Sequence, residues 1–596
     1  MIEQLITDKT IEACKKLYDQ EVDERFIQVE KTNKEFKGDY TLVVFPIIRY
    51  SKKSPEQTAE EIGLHIQSSL VWIDSFEVVK GFLNLSVKVR YWLDFFKEKL
   101  TDQQFGFTPT LKKKPIVIEY SSPNTNKPLH LGHIRNNLLG FSLSRILQAN
   151  GQRVIKVNLI NDRGIHICKS MLAWVKWGNG ETPASTGMKG DHFVGKYYVL
   201  FDQKHKEEIR ELVHRGYTED DAYAQAQLMK EAKTMLLRWE NADEEILTIW
   251  RTMNNWTYEG FDQTYQNLGV DFDQVNYESE MYLNGRDIVM EGLERDIFYQ
   301  NSDGSVCVDL TDEGLDEKLL LRSDGTSLYI TQDIGTAYKR FEEYKPERMI
   351  YVVGNEQIYH FEVLKMVLKK LGNTWFDKLF HLSYGMVELP HGRMKSREGT
   401  VVDADDLMDE MLETAHKTTE ALGKTNDFES RERTELFNTI GMGALKYFIL
   451  KVDPKKSMLF NPEESIDFNG NTGPFIQYTY ARIQSLLRKA EDSPDKLATA
   501  IDYHKVDLLD VEKELIRQIY EFPVVVKQAG ETLNPAVIAT HVYELVKTYN
   551  HYYQDNPILK RVDEGTSRFR VALSWFTGRV IQSAMFLLGI EVPERM

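Results

Sequence analysis

The sequence predicts an α/β protein in which a doubly wound parallel-sheet domain lies between a small α+β domain and an all-α domain. From residue 115, short apolar segments alternate with helical patterns, which is typical of a parallel sheet. After about residue 405, strand-like segments stop and helical periodicity continues to the end. We place the domains at 1–108, 109–425 and 426–596, with a helical insertion at about 170–265.

The first domain is predicted to begin with a helix and to contain strand-like runs at 40–50 and 76–89. Between these runs, Ser54 can cap a helix, Pro55 fits its first turn and Gln57 holds the capping-box position. A Gly, a Pro and a lysine run at 101–114 indicate a linker.

The sheet is predicted from the segments "PIVIEY" (115–120), "RVIKVNLIND" (153–162) and "RMIYVVGNEQ" (348–357). The last domain includes a helix around "TGPFIQYTYARIQSLL" and another that Asn534 caps and Pro535 opens. These patterns give a fold class of α/β with all-helical and α+β additions.

Composition limits the compartment and the partners. The sequence is 42% hydrophobic, lacks a signal peptide or a membrane-length apolar run, and has three cysteines without paired spacing. A reducing cytoplasm is therefore expected. The net charge of −17 argues against extended nonspecific binding to duplex nucleic acid but leaves specific recognition open.

A polar segment, "SSPNTNKPLHLGHIRNNLLG" (121–140), follows the first predicted strand of the sheet. Parallel sheets bind ligands at the carboxyl ends of their strands, where a helix N-terminus offers free N–H groups to phosphate. His130 and His133 could donate hydrogen bonds to a reacting phosphate, and Gly132 between them would let a nucleotide approach the backbone. This pattern suits nucleotidyl transfer. Alternatives are ordinary surface or core histidines, or a zinc pair, for which no third ligand lies nearby in sequence.

The segment resembles the HIGH signature of class I aminoacyl-tRNA synthetases, in the form found in arginyl-tRNA synthetases. The resemblance extends through "GTSLYITQDIGTA", "VVGNEQIYHF", "GMVELPHGRMKSREGT", "NTGPFIQYTYARI" and the terminal "LLGIEVPERM". It implies a Rossmann-like catalytic domain, a C-terminal anticodon-binding domain and an N-terminal domain that touches tRNA. It also implies ATP-dependent ligation of L-arginine to its tRNA through an arginyl-adenylate, with release of AMP and pyrophosphate.

The family's second signature, KMSKS, aligns with residues 393–397, and its second lysine is replaced by Ser396. Arginyl-type enzymes are thought to use a lysine just before the histidine motif, here Lys127, and Lys395 is another candidate for that charge. The resemblance assigns catalysis to Lys127, His130, His133, Lys395 and Ser396. It assigns ATP binding to His130, Gly132, His133, Gly385, Met386, Val387, Arg393, Met394 and Lys395. Core packing of Met386 and Val387 is the alternative.

For arginine, the resemblance implies a pocket made of Glu119, Asn124, Tyr329, Asp333 and Gln357. A guanidinium needs planar acceptors, which carboxylates provide. Asp333 would pair with it, and Tyr329 could cover it. Three structural alternatives stay open: Asp333 as a helix cap, Tyr329 as core and Glu119 as a buried structural acid.

The expected partners are the tRNA for arginine, L-arginine and ATP with Mg²⁺, with no metal held by the protein and no membrane. Tyr478, Tyr552 and Tyr553 are candidates for stacking on tRNA bases. A monomer that requires bound tRNA for arginine activation is the expectation that the family suggests. Competing interpretations are a synthetase for cysteine or glutamate, a smaller nucleotidyltransferase and a catalytically inactive tRNA-binding regulator.

Overall fold

The computed structural model describes residues 2–596 except 34, 111–113, 390–401, 422–427, 491–495, 497–498 and 561. No helix in this described part is long and apolar enough to cross a membrane. The chain forms two compact units. Unit 1 comprises Met1–Phe105, Leu487–Glu521 and Thr548–Thr577, and unit 2 comprises Gly106–Leu486, Phe522–Lys547 and Gly578–Met596.

The N-terminal part of unit 1 contains one antiparallel sheet and four helices. Its strands are β1 (Gln28–Lys31), β2 (Tyr40–Val43), β3 (Ile73–Val79) and β4 (Phe82–Val87), in the order β1-β2-β4-β3. Its helices are α1 (Ile2–Tyr18), α2 (Ile48–Ser51), α3 (Pro55–Ser69) and α4 (Val89–Lys99). The cap of α3 is confirmed, because the Ser54 side chain accepts a hydrogen bond from the Gln57 N–H at 3.2 Å.

Both strand-like runs of this part are broken in the structure. The first run ends as a strand at Val43, and Ile48–Ser51 is helical. The second run contains most of a hairpin, which turns at Lys80 and Gly81, both with positive φ, between β3 and β4. Apolar composition alone does not separate these turns from strand.

The parallel sheet of unit 2 is confirmed. Its five strands are β5 (Ile116–Glu119), β6 (Val154–Ile160), β7 (Gln274–Tyr277), β11 (Arg348–Gly354) and β12 (Leu379–Tyr384), in the order β12-β11-β5-β6-β7. All neighbouring pairs are parallel. The chain runs outward from β5 through β6 to β7 and then returns to β11 on the other side. The carboxyl ends of β5 and β11 therefore form the topological switch point, where ligands bind in such sheets.

Helices and a small sheet complete the first part of unit 2. The helix that follows β5 is α5 (Leu131–Ala149), and the insertion contains α6 (Ile165–Trp177), α7 (Pro183–Thr186), α8 (Gly190–His214), α9 (Glu219–Gln225), α10 (Gln227–Glu240) and α11 (Glu244–Leu268). After β7 come α12 (Glu278–Glu294), the antiparallel strands β8 (Tyr299–Gln300), β9 (Val306–Val308) and β10 (Lys318–Leu321), α13 (Tyr329–Tyr344) and α14 (Ile358–Lys370). The predicted helical insertion is thus observed.

The described residues after β12 are mostly helical. The helices are α15 (Ala404–Ala421), α16 (Ser430–Leu450), α17 (Pro462–Ser465), α18 (Gly473–Ala490), α19 (Asp510–Thr532), α20 (Ala536–Asp555) and α21 (Glu564–Leu587). One exception is a parallel pair of two-residue strands, β13 (Val387–Glu388) and β14 (Met458–Leu459). The predicted cap at Asn534 is observed, since its side chain accepts from the Ala536 N–H at 3.0 Å.

Candidate active site

His130 and His133 form the N-terminal cap of α5. His130 has extended backbone angles, and its Nδ1 accepts a hydrogen bond from the Gly132 N–H at 3.1 Å. The Nδ1 of His133 accepts from the His130 N–H at 3.1 Å. The two rings lie 3.9 Å apart between centroids. His130 and His133 therefore occupy the N-cap and N3 positions that Ser and Glu occupy in an ordinary capping box.

Burial sets the charge of both rings, and these hydrogen bonds set which nitrogen carries the proton. Burial, with the charge of Lys127 adding to it, lowers the pKa of His130 to about 4. Burial, with His130 and Lys127 adding to it, lowers the pKa of His133 well below its usual range. Both rings are neutral near pH 7, and each Nδ1 is an acceptor, so the ring proton is on Nε2. The site thus holds two Nε2–H donors.

Gly132 has a structural role in addition to the predicted one. A Cβ at this position would lie 2.9 Å from His130 Cε1 and 3.1 Å from its Nδ1. The glycine makes room for the His130 ring, which folds back over it. Close approach of a nucleotide to this backbone stays a prediction.

The loop before α5 is held in an unusual conformation by two asparagines. Ser121 and Ser122 have φ of +76° and +48°, which is uncommon outside glycine. The Asn136 side chain accepts from the Ser121 N–H at 2.6 Å, and the Asn158 side chain accepts from the Ser122 N–H at 3.0 Å. The chain then passes Asn124, which is exposed at the end of β6. The strain that these bonds hold is typical of ligand sites.

The segment after the second signature returns to the histidine cap. The Leu131 N–H donates to the Val402 carbonyl at 2.9 Å, and the Ala404 N–H donates to the Leu129 carbonyl at 3.0 Å. His130 therefore faces Asp403 across a short antiparallel bridge. The residues predicted for the signature itself lie outside the described residues: Arg393, Met394, Lys395 and Ser396.

Asp333 is not a helix cap. Helix α13 begins at Tyr329, four residues earlier, and an Asp333 carboxylate oxygen contacts His360 Nε2 at 2.6 Å. Tyr329 is 68% exposed, so the core alternative for it is wrong as well. Gln357 is exposed in the turn that follows β11. These side chains are accessible to a ligand.

The structure gives Glu119 two partners within the protein. This carboxylate is buried, and one of its oxygens forms an ion pair with the buried Arg340. The other oxygen accepts from the Ser122 hydroxyl at 3.0 Å. Both oxygens therefore have a partner within the protein, which supports the structural alternative, while a contact between Glu119 and the substrate stays a prediction. The sequence around Glu119 in β5 did not indicate that Arg340 is its partner, because Arg340 lies 221 residues away in the sequence.

A further carboxyl group, Glu278, lies near Asp333 and was missed by the sequence reasoning. It opens α12 directly after β7 and is 6% exposed. Burial raises its pKa to about 7, with Asp162 and Asp333 adding to the rise and Arg163 opposing it. Position at the carboxyl end of a parallel strand was the signal that could have identified it.

The expected nucleotide wall is partly exposed. Met386 is 45% exposed, so core packing does not explain it, and Val387 is half-buried in β13. Gly385 is buried, and its N–H donates to the Pro454 carbonyl at 2.9 Å. A Cβ on Gly385 would lie 2.5 Å from the Lys456 and Ser457 backbone. The glycine is therefore required by a close approach between two chain segments.

The tRNA candidates divide by burial. Tyr552 is fully buried, and its hydroxyl donates to Glu512 at 3.4 Å, so in this structure it presents no face to a base and that prediction is corrected. Tyr553 and Tyr478 are half-buried. The Tyr478 ring lies 5.0 Å from the Arg482 guanidinium.

Comparison with known proteins identifies the class that this arrangement represents. Residues 97–461 match the family described as "tRNA synthetases class I (R), catalytic domain". Residues 2–87 match "Arginyl tRNA synthetase N terminal domain", and residues 476–596 match "DALR anticodon binding domain". Fold and site together define a class I aminoacyl-tRNA synthetase.

Similar proteins narrow this class. The chain is 56% identical to "Arginine--tRNA ligase" of Bacteroides thetaiotaomicron and 51% identical to that of Flavobacterium psychrophilum, with 100% of each chain covered. The chain belongs to the arginyl-tRNA synthetase family. The solved arginyl-tRNA synthetase of Thermus thermophilus shares the fold, with a TM-score of 0.80 at 24% identity over the whole of both chains.

Proposed function

We infer that the chain attaches L-arginine to its tRNA in two steps that consume ATP. In the first step, the arginine carboxylate attacks the α-phosphate of ATP, which gives arginyl-adenylate and releases pyrophosphate. In the second step, a terminal ribose hydroxyl of the tRNA takes the arginyl group and AMP leaves. The full-length identity of 56% to a protein named arginine–tRNA ligase supports this reaction.

The observation that carries the chemistry is the pair of neutral histidines at the switch point. Substrates supply both the nucleophile and the leaving group, so the protein contributes positioning and charge stabilisation. Negative charge grows on the α-phosphate oxygens in the transition state. The Nε2–H groups of His130 and His133 donate to these oxygens, and they need no proton transfer to do so.

Lys127 supplies positive charge on the same side of the site. Its ammonium acts on both histidines strongly enough to lower their pKa values further. This proximity supports a role for Lys127 at the phosphates in place of the lysine that Ser396 replaces. Lys395 stays a second candidate for this charge.

Asp333 is the proposed partner of the substrate guanidinium. Gln357 is exposed after β11, Asn124 is exposed at the end of β6, and Tyr329 is exposed at the start of α13. Glu278 adds a second carboxyl group near Asp333. Two carboxyl groups of which one has a raised pKa favour a strongly basic ligand, because a bound cation restores the ionised form of Glu278. A lysine side chain has one point charge and would leave acceptors unpaired, at a cost of about 1–3 kcal/mol each.

ATP enters with Mg²⁺ as part of the substrate, and Gly385, Met386 and Val387 line its adenosine. Arg393 and Met394 of the second signature are proposed to bind ATP as well. Tyr478 and Tyr553 are proposed to meet tRNA bases, and the N-terminal domain is proposed to contact the tRNA as well. A cytoplasmic monomer whose arginine activation depends on bound tRNA completes the proposal.

Arginine-dependent exchange of pyrophosphate into ATP tests the function. Each amino acid is assayed with and without the cognate tRNA, and exchange is expected with arginine alone among them. Asp333→Asn should raise the KM for arginine about 10–100-fold, because it removes a charged hydrogen-bond partner. The KM for ATP should stay the same.

Glu342→Gln is the matched control, because Glu342 is an exposed acid later in the same helix. It should behave as the unsubstituted protein does. Absence of exchange with arginine in the presence of tRNA would contradict the proposed reaction. An unchanged KM for arginine in Asp333→Asn would contradict the assignment of this residue.

A further inference from the structure

Arg135 is a fully buried arginine on α5, two residues after His133. Its guanidinium donates to four backbone carbonyl oxygens. The bonds run to Met386 at 3.0 Å, Lys456 at 2.7 Å, Pro454 at 3.2 Å and Asp453 at 3.5 Å. Arg135 thus bonds the start of α5 to two segments that lie more than 250 residues away.

These two segments are also bonded to each other. The Gly385 N–H donates to the Pro454 carbonyl at 2.9 Å, and the Met458 N–H donates to the Met386 carbonyl at 2.9 Å. Strands β13 and β14 continue the pairing. The segments 385–388 and 453–459 therefore form one block, which we call the wall block, and Arg135 bonds it to α5.

The arrangement depends on arginine chemistry. Four carbonyl dipoles converge with their negative ends toward one place, which is unfavourable unless a cation lies between them. The planar guanidinium has five donors and reaches both segments at once. Lysine has the same charge but a single compact head, so it cannot make the same bonds to Met386 and Lys456 together.

The bonds matter for function because of what each side carries. The wall block carries Met386 and Val387, the proposed adenosine wall, and α5 carries the two proposed phosphate donors. We propose that Arg135 is a positioning residue for ATP, which sets the distance from the adenosine wall to His130 and His133. This inference rests on the proposed function, since it assumes that ATP spans these two parts.

The test measures steady-state pyrophosphate exchange of Arg135→Lys in the full chain. A misplacement of about 1 Å at such a site can cost about 100-fold in rate. We expect Arg135→Lys to raise the KM for ATP and lower kcat, with their combined effect on kcat/KM for ATP at about 10–100-fold. The KM for arginine should change less than about twofold, because the arginine pocket is built on other elements.

Arg145→Lys is the matched control. Arg145 lies on the same helix and donates to the Phe586 carbonyl at 2.8 Å, with its guanidinium 4.2 Å from the Phe586 ring centroid. It has the same type of bond but no link to the wall block, and its exchange kinetics should be unchanged. A general effect of losing a hydrogen bond from an arginine to a backbone carbonyl would appear in both variants.

Gly385→Ala provides a second variant in case Arg135→Lys does not fold. Its Cβ would press on the Lys456 and Ser457 backbone from within the wall block and should also raise the KM for ATP selectively. The inference is overturned if folded Arg135→Lys keeps the KM for ATP, or if Gly385→Ala weakens arginine and ATP equally. If the unsubstituted chain shows no exchange with arginine, the proposed function itself has failed.

Discussion

His130 has one observed role and one proposed role: its Nδ1 caps α5, and we propose that its Nε2 donates to phosphate. The sequence indicated the pair of histidines and the phosphate. It did not indicate that the Nδ1 of each ring accepts a backbone hydrogen bond, His130 from the Gly132 N–H and His133 from the His130 N–H. These hydrogen bonds to the backbone fix both tautomers.

Asn and Gln substitutions separate the two roles. An Asn side chain places its oxygen near the Nδ1 position, whereas a Gln side chain places its amide near Nε2. His130→Asn should keep the cap and lower the exchange rate about 10²–10³-fold, as the loss of one such donor does elsewhere. His130→Gln should keep more of the rate and lose about 1 kcal/mol of stability.

Exchange kinetics and chemical denaturation measure both effects. The prediction fails if His130→Asn is the faster of the two variants. Because the pKa of His130 is about 4, the rate should also show no titration of this ring between about pH 6 and 8.

At the scale of elements, an ion network holds the first turn of α15 against the insertion. Asp405 accepts from Lys189 at 2.6 Å and from His192 at 3.0 Å, and the Thr264 hydroxyl donates to its other oxygen at 3.0 Å. Asp403 precedes α15 and lies opposite His130, and the residues on either side of Asp403 hydrogen-bond to the backbone on either side of that histidine. The network therefore anchors the segment that returns to the histidine cap.

This network should make stability depend on pH. Burial opposes protonation of His192, but its hydrogen bond to Asp405 and the charges of Asp403, Asp191 and Asp405 outweigh burial and raise its pKa. A raised folded-state pKa contributes stability below the unfolded value of about 6.5, and that stability is lost as pH rises through the folded value. His192→Gln should therefore cost about 1 kcal/mol near pH 6 and less near pH 9.

Thermal unfolding at several pH values measures this difference. His416→Gln is the control, since His416 forms an exposed pair with Glu420 on the same helix. A cost that is equal at both pH values for His192→Gln would show that the charge of His192 is irrelevant.

At the scale of the whole molecule, unit 1 combines the N-terminal part of the chain with two segments from its later part. Residues Met1–Phe105 share this unit with Leu487–Glu521 and Thr548–Thr577. Lys513 pairs with Asp39 at 2.9 Å, and Lys31 pairs with Glu521. Phe96 is fully buried, with its ring centroid 5.4 Å from that of Phe569 and 5.8 Å from that of Phe576.

Phe96→Ala should destabilise the N-terminal segment and the later segments of unit 1 together. Removing a buried phenylalanine costs about 3–5 kcal/mol, and here the cavity borders N-terminal and C-terminal segments alike. Hydrogen exchange should lose equal protection in β3, β4 and the first half of α21. Phe45→Ala is the control, because Phe45 is 46% exposed in the same N-terminal part. Loss of protection in the N-terminal part alone would show that this part folds independently.

The sequence alone determined the parallel sheet, the cap of α3, the helical C-terminal region and the histidine pair. Each of these depends on contacts within a few residues or on hydrophobic periodicity, which sequence displays directly. The boundaries between the three predicted domains stay a prediction.

Only the tertiary structure decided the partners of charged groups. It paired Glu119 with Arg340, buried Tyr552 beside Glu512, brought Glu278 near Asp333 and placed Arg135 among four carbonyls. The hydrogen-bonded pairs among these lie between 40 and 321 residues apart in the sequence. The packing of the whole fold decides which group pairs with a buried charge. Neither the residue type nor the neighbouring residues in the sequence predict that partner.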